Sequence, residues 1–240
     1  MVAINNSIND KVGASNTGVT NTLTIDNASN TASSQALVNI TVGGTTAGDA
    51  FETFTVSGTT NWSIGTDNSV TGDPFVIAGS TALGTTNIMS ALTTGEINYP
   101  LLPAFLATLS APVNNQTGDG TSYTVVYNTE IFDQGGDSVS GTFTAPVTGR
   151  YQLMCNGDVS GITTGMTAGT WTITTSNRAY RFGLMRWGVV MTATNTCTVG
   201  GGTLSDMDAA DTATVILQLS NGTKVADIAT ANYFSGYLAC

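Results

Sequence analysis

The sequence predicts an all-β protein, and three observations carry that prediction. Only 9% of its 240 residues are charged, against about 25% in an average globular chain. Its polar surface must therefore be made of Thr, Ser, Asn and Gly, which favour strands and tight turns over helices. Finally, apolar residues recur with period two in runs such as TVVYNTEIF, GRYQLMC and ATVILQL, the spacing of a half-buried strand. Lysine occurs only at Lys11 and Lys224, too few for the outer faces of a helical protein.

The chain divides into three parts on composition. Residues 1–26 are polar with isolated apolar positions, among them Val2, Ile4 and Ile8, and read as an extended N-terminal arm that orders against a partner. Residues 27–99 read as a thin β-rich shaft or attachment domain. Its predicted strands are LVNITV (37–42), FETFTVSG (51–58), NWSIG (61–65), FVIAG (75–79) and the segment NIMSALTTGEINYP (87–100). Pieces this short form a sheet too thin to offset chain entropy alone, and association with identical copies is the remedy. YPLLPAFLATLS (99–110) marks a boundary. Beyond it the strands lengthen: SYTVVYNTEIF (122–132), GRYQLMCNGDVSG (149–161), TWTITTSNRAYRFGLMRWGVVMT (170–192), ATVILQL (213–219) and NYFSGYLA (232–239). Residues 100–240 read as one β-sandwich.

Composition also excludes functions. A net charge of −10 opposes binding to nucleic-acid phosphates or anionic lipid. No apolar run is long enough to span a bilayer as a helix. The N-terminal stretch lacks a basic region followed by an apolar run, which predicts no signal peptide and assembly in a cytoplasm. Cys155, Cys197 and Cys240 show no CxxC spacing, so no structural disulfide is expected, and Cys155 on a strand reads as a buried thiol.

Histidine is absent, which removes the commonest general base and metal ligand. Neither a GxSxG nor a phosphate-binding loop occurs. No catalytic residue and no cofactor is predicted. Paired carboxylates, Glu130 with Asp133 or Asp206 with Asp208 and Asp211, keep glycan hydrolysis as a remote alternative. The cluster Asp206, Asp208 and Asp211 is also a weak calcium candidate, because calcium takes several hard oxygens; a solvated loop is the plainer reading. TGDGT (117–121) reads as a turn first and a ligand site second.

SNRAYRFGLMRW (176–187) carries half of the basic residues: Arg178, Arg181 and Arg186, interleaved with Tyr180, Phe182 and Trp187. Arg178, Tyr180, Arg181, Arg186 and Trp187 are candidates for subunit or ligand contact, with an acid-paired subunit interface preferred over glycan recognition. Strict alternation places Arg181 beside Met185 and Trp187, among large apolar groups.

The stretch GTFTAPVTGRYQL (141–153) is shape. Phe143, Tyr151 and Leu153 are expected inward, Pro146 at a turn, and Gly149 at a tight reversal. In the terminal FSGYL, Phe234, Gly236 and Leu238 share a face, and Gly236 marks a close backbone approach beside Tyr237.

Ordered along residues 100–240, PAFLATLS, VVYNTEIFDQGGD, FTAPVTGRYQL, DAADTATVILQL and FSGYL resemble the globular head of complement component 1, subcomponent q, and its tumour-necrosis-factor-like jelly-roll relatives. The signature rests on Phe143, Pro146, Gly149, Tyr151, Phe234, Gly236 and Tyr237. The resemblance implies a C-terminal jelly-roll knob and a homotrimer packed about a threefold axis. The first half is similar to the Gly/Thr/Asn-rich strand segments of phage fibres and virion-surface proteins. Together these imply a trimeric structural protein on the virion surface of a tailed phage, a capsid decoration, head fibre or small tail fibre. Its N-terminal half would meet capsid or tail proteins, and its knob would project for shell stabilisation or host attachment, with a host-surface glycan as a further partner. A bacterial surface or secreted binding module is the alternative.

Overall fold

A computed structural model of the chain describes residues 24–185, 193, 195–220 and 222–240. Eighteen strands and no helix occur among them. The arm apart from residues 24–26, with Val2, Ile4 and Ile8, lies outside the described residues, as do Arg186 and Trp187.

The first five strands form an antiparallel meander. They are β1 (Ala50–Val56), β2 (Thr60–Thr66), β3 (Phe75–Ala78), β4 (Asn87–Ala91) and β5 (Ile97–Asn98), and they lie side by side in chain order. Connections this short permit only antiparallel neighbours. Leu83, from the β3–β4 loop, covers one face over Val76 and Ala78, with Phe51 packed against them. The expected strand 37–42 does not form. Its alternation is real, but its residues are exposed and no hydrogen bond among the described residues ties its backbone to a neighbour. An apolar alternation becomes a strand only where a partner edge accepts it.

The remaining strands build a sandwich. They are β6 (Ala104–Thr108), β7 (Val113–Thr117), β8 (Asp119–Thr124), β9 (Thr129–Asp133), β10 (Ser138–Val139), β11 (Thr142–Thr144), β12 (Gly149–Ile162), β13 (Ala168–Thr175), β14 (Ala179–Met185), β15 (Asn195–Met207), β16 (Thr212–Ser220), β17 (Ala226–Ile228) and β18 (Tyr233–Leu238). One sheet runs β9-β6-β18-β12, with β15 on the far side of β12 and β17-β7 continuing along its end; the other runs β10-β11-β16-β13-β14. Strands distant in sequence are neighbours in space, which is the double Greek-key order of a jelly roll.

The two sheets share one core. Phe105 of β6 stacks on Phe143 of β11 across the sandwich at 4.7 Å between ring centres, and Phe234 meets Phe105 edge-on at 5.0 Å. Tyr151, Leu153, Trp171, Ile173, Val215 and Leu217 are buried around them. The segment from Thr144 to Gly149 carries the chain from one sheet to the other, and Tyr151 ties it down by donating its hydroxyl to the Val147 carbonyl at 2.7 Å. Pro146 is exposed on that crossover. Gly149 does not serve as a left-handed hinge. It is there because a Cβ would stand 2.6 Å from Leu238 Cδ1 and 2.9 Å from the Cys240 carbonyl.

Two long runs expected as single strands are each divided. Residues 122–132 cross between sheets: β8 lies against β16, Val125 and Tyr127 are buried in passing, and β9 pairs with β6. The described part of the run 170–192, residues 170–185, folds back at Ser176–Asn177 into the β13–β14 hairpin. Thr175 and Arg178 exchange bonds across that turn, including Thr175 N–H to the Arg178 carbonyl at 2.9 Å. A side-chain-capped turn replaces the glycine that would have announced it.

Candidate functional site

Polar and charged residues ordinarily cover the outer face of a solvated antiparallel sheet. The outer face of the β9-β6-β18-β12-β15 sheet lacks charge across its width. The registers bring Phe132, Leu106, Ser235, Met154 and Gly202 into one row. The next row holds Ala104, Tyr237, Gln152 and Leu204, and the one on the other side Thr108, Tyr233, Asn156 and Gly200. Charge appears only at the ends, with Arg150 opposite Asp206 at one and Asp158 at the other. Phe132, Met154, Leu204, Tyr233 and Tyr237 are all exposed.

Glycine shapes the middle of this face. Gly201 points inward, where a Cβ would stand 2.5 Å from Phe182 Cγ, so β15 rests directly on the ring that closes this side of the sandwich. Gly200 and Gly202 point outward and leave a shallow depression of about 370 Å³, lined by Gln152, Met154, Asn156, Thr198 and Tyr233. A shallow, uncharged, aromatic-rimmed surface suits another protein surface.

The residues expected to make contacts fall elsewhere. Arg178, at the β13–β14 turn, forms an ion pair within the chain, its Nη2 2.5 Å from Asp206 Oδ2. Tyr180 and Phe182 stand opposite Ile173 and Trp171 on the inner side of β14. Arg181 stands opposite Thr172, whose other neighbour is Ile216. Arg181 is exposed there, and the side chains of Met185 and Trp187, expected beside it, lie outside the described residues. Gly183, at φ 72°, accompanies a register shift that breaks the alternation beyond Phe182. The arginines and aromatics of this segment do not form one continuous recognition surface among the described residues.

The acidic candidates act locally. Asp211 accepts the Asp208 amide at 2.8 Å and the Asn177 side chain at 2.9 Å, closing its own turn. Asp208 lies beside the Thr148 hydroxyl at 3.5 Å, and Asp206 serves Arg178. No group of three or more acids, cysteines or histidines converges among the described residues. Asp133 accepts the amides of Asp137 and Ser138 at 3.1 and 2.8 Å, which caps the loop after β9. Asp119 accepts both the amide and the hydroxyl of Thr121, so TGDGT is the reversal between β7 and β8.

Titration follows the same pattern. Burial pushes the Cys155 thiol up to about 12, opposed by the Trp171 side chain, which keeps it protonated and unreactive. Burial, with Cys155 nearby, holds the Tyr127 phenol well above its ordinary value. Asp137 is raised by burial and then by the charge of Asp133. Gly236 is placed as its sequence context implied: a Cβ would meet Leu153 Cδ2 at 2.7 Å and Phe105 Cε1 at 2.9 Å. Tyr237 of the same signature lies on the exposed outer face.

Sequence reasoning missed the outer face itself. Gly200–Gly202, Leu204 and Tyr233 carry no hydropathic signal as a group, and only the strand registers unite them.

No protein-family model matches the sequence, and no curated protein matches it. Among solved structures the chain is similar to the globular domain of zebrafish complement 1qA protein, with a TM-score of 0.41 and 19% identity over 57% of this chain and 98% of that one. It is also similar to murine APRIL at pH 8.0, with a TM-score of 0.40 and 10% identity over 57% of this chain and 98% of that one.

Proposed function

We propose that this chain is a trimeric structural protein of a virion surface, of the kind carried by tailed phages as a capsid decoration or small fibre. The observation that carries the self-assembling part is the uncharged outer face of the β9-β6-β18-β12-β15 sheet. In a chain of net charge −10, copies repel one another over most approaches. This face lets them meet without opposing carboxylates. Its Phe132, Met154, Tyr233 and Tyr237 are of residue types enriched at interfaces. Arg181, exposed on the edge strand β14, and Arg150, exposed at the end of this face, are cations that can meet an acid of the adjoining copy.

The virion assignment rests on the sequence: a Gly/Thr/Asn-rich first half similar to phage fibre segments, joined to a jelly-roll knob. Residues 1–99 attach to capsid or tail proteins, and the knob projects for shell stabilisation or contact with the host surface. The work is done by binding. A sequence without histidine and a buried, protonated Cys155 support a binding role over a catalytic one.

Immunogold labelling of purified particles from the source, with an antibody raised against residues 104–238, tests this reading. Regular labelling on the head or tail is expected. Antigen found only on bacterial envelopes, or only free in the medium, would overturn it in favour of a bacterial binding module.

A further inference from the structure

The β1–β5 sheet is inverted with respect to its own core. The face that its β3–β4 loop covers carries Phe51 and otherwise small or polar groups: Thr53, Ser63, Gly65, Val76 and Ala78. The opposite face carries the bulk. Phe54 faces Trp62, Ile64 faces Ile77, Ile77 faces Met89, Phe75 faces Ala91, and Ala91 faces Ile97. One continuous apolar surface thus crosses all five strands. It is open: Phe54 is 57% exposed, Val56 64% and Ile97 57%, with Trp62 and Phe75 exposed beside them. Glu52 at its margin is the one ionisable group that the registers place on it. The residues that the registers place on this face are exposed or half-buried, and none is fully buried.

We propose that this face packs against the same face of neighbouring copies, so that the N-terminal sheets form an inter-chain hydrophobic core of their own. This rests on the reading of the chain as self-assembling, and adds a second surface to it. Size and charge argue for a second copy as the occupant. The five most exposed side chains alone offer about 500 Å² per copy, more than half of the roughly 800 Å² per partner of a stable interface. With Glu52 on the edge strand as its one acid, an otherwise uncharged face on an acidic chain is largely complementary to itself, as a symmetric assembly requires, and offers little to a partner selected by charge.

A photo-reactive benzoyl-phenylalanine in place of Phe54, in the purified full-length chain, tests the proposal. Irradiation should yield covalent multimers on a denaturing gel, and peptide mapping should place the links within residues 50–98 of another copy. Monomers linked internally to residues 1–23 would mean that the chain covers its own face, and would overturn the proposal. Assembled chains that remain unlinked, or that link only once capsid or tail proteins are added, would overturn it equally. In parallel, Phe54→Ser should shift assembly to several-fold higher concentration while leaving the knob's melting intact; unchanged assembly would count against it. Neither readout uses the virion, so loss of the virion assignment leaves this result standing. An open face in a chain that still trimerises would remove this inference alone.

Discussion

Leu204 lies in the middle of the uncharged outer face, opposite Gln152 on β12 and 52% exposed. Truncating it to alanine removes little from the folded monomer, because its side chain already faces outward. In an assembly that covers this face, the exposed half is lost from the interface. Full burial of a leucine contributes about 1.5–3 kcal/mol, so half of it amounts to about 1 kcal/mol per copy and about 3 kcal/mol per trimer. At 1.4 kcal/mol per decade, Leu204→Ala should weaken assembly about 100-fold. Leu204→Glu should do much more, since a carboxylate stripped of water without a partner costs several kcal/mol at each of the three sites. Analytical ultracentrifugation over a dilution series measures the assembly constant, and a thermal melt under dissociating conditions checks that the monomer is intact. If both variants dissociate at the parent's concentration, the outer face is not an interface. If the monomer melt falls with the assembly constant, the side chain supports the fold, and the reasoning fails in a different place.

Gly236→Ala should cost about 1–3 kcal/mol, because its Cβ would press on Leu153 and Phe105 in a filled core; Leu153→Val should restore part of the lost melting temperature, and additive costs would contradict the contact. Asp206→Asn should change stability by less than about 1 kcal/mol, since its pair with Arg178 is solvent-exposed, and a large loss in a chemical melt would show a tighter role for the pair. With its pKa raised in the folded state, the Cys155 thiol contributes stability that is fully present below the unfolded thiol value of about 8.5 and is lost as pH rises toward about 12; Cys155→Ala should remove this alkaline decline, and alkylation of the folded chain at neutral pH should label exposed Cys240 before Cys155. The raised carboxyl of Asp137 likewise favours the folded state at low pH and loses that contribution as pH climbs through its folded value, so Asp137→Asn should gain on the parent in melting temperature as pH increases, and a constant difference would refute the assignment.

The sandwich was legible where one side of a strand is buried and the other wet. In β12, β16 and β18 the alternation of Tyr151, Leu153 and Cys155, of Val215, Leu217 and Leu219, and of Phe234 with Gly236 maps directly onto the core. In FTAPVTGRYQL the break between two apolar strands at Pro146 was legible, but not that the chain crosses there from one sheet to the other, nor that Gly149 is needed for close packing and not for a tight reversal. β15 was not legible, since Gly200–Gly202 contribute no side chain to any pattern. The β13–β14 hairpin was hidden because its turn is capped by Thr175 and Ser176–Asn177 in place of glycine or proline. Residues 37–42 show the converse, a strand pattern with no edge to join. The candidate interface was illegible for a further reason. Phe132, Met154, Leu204 and Tyr237 come from four strands spread over more than a hundred residues, so no local window contains them. Arg178 and Arg181 stood out by rarity in an acidic chain, and rarity marked a local ion pair and an edge position.

The mass of the intact, purified chain in solution tests the account most directly. Mass photometry or sedimentation over a nanomolar-to-micromolar dilution series should find a species of three copies, about 73 kDa for a 24.5 kDa chain, giving way to monomer only on dilution. A folded chain that stays a single copy at micromolar concentration, with both its outer sheet face and its N-terminal sheet face open to solvent, would contradict it.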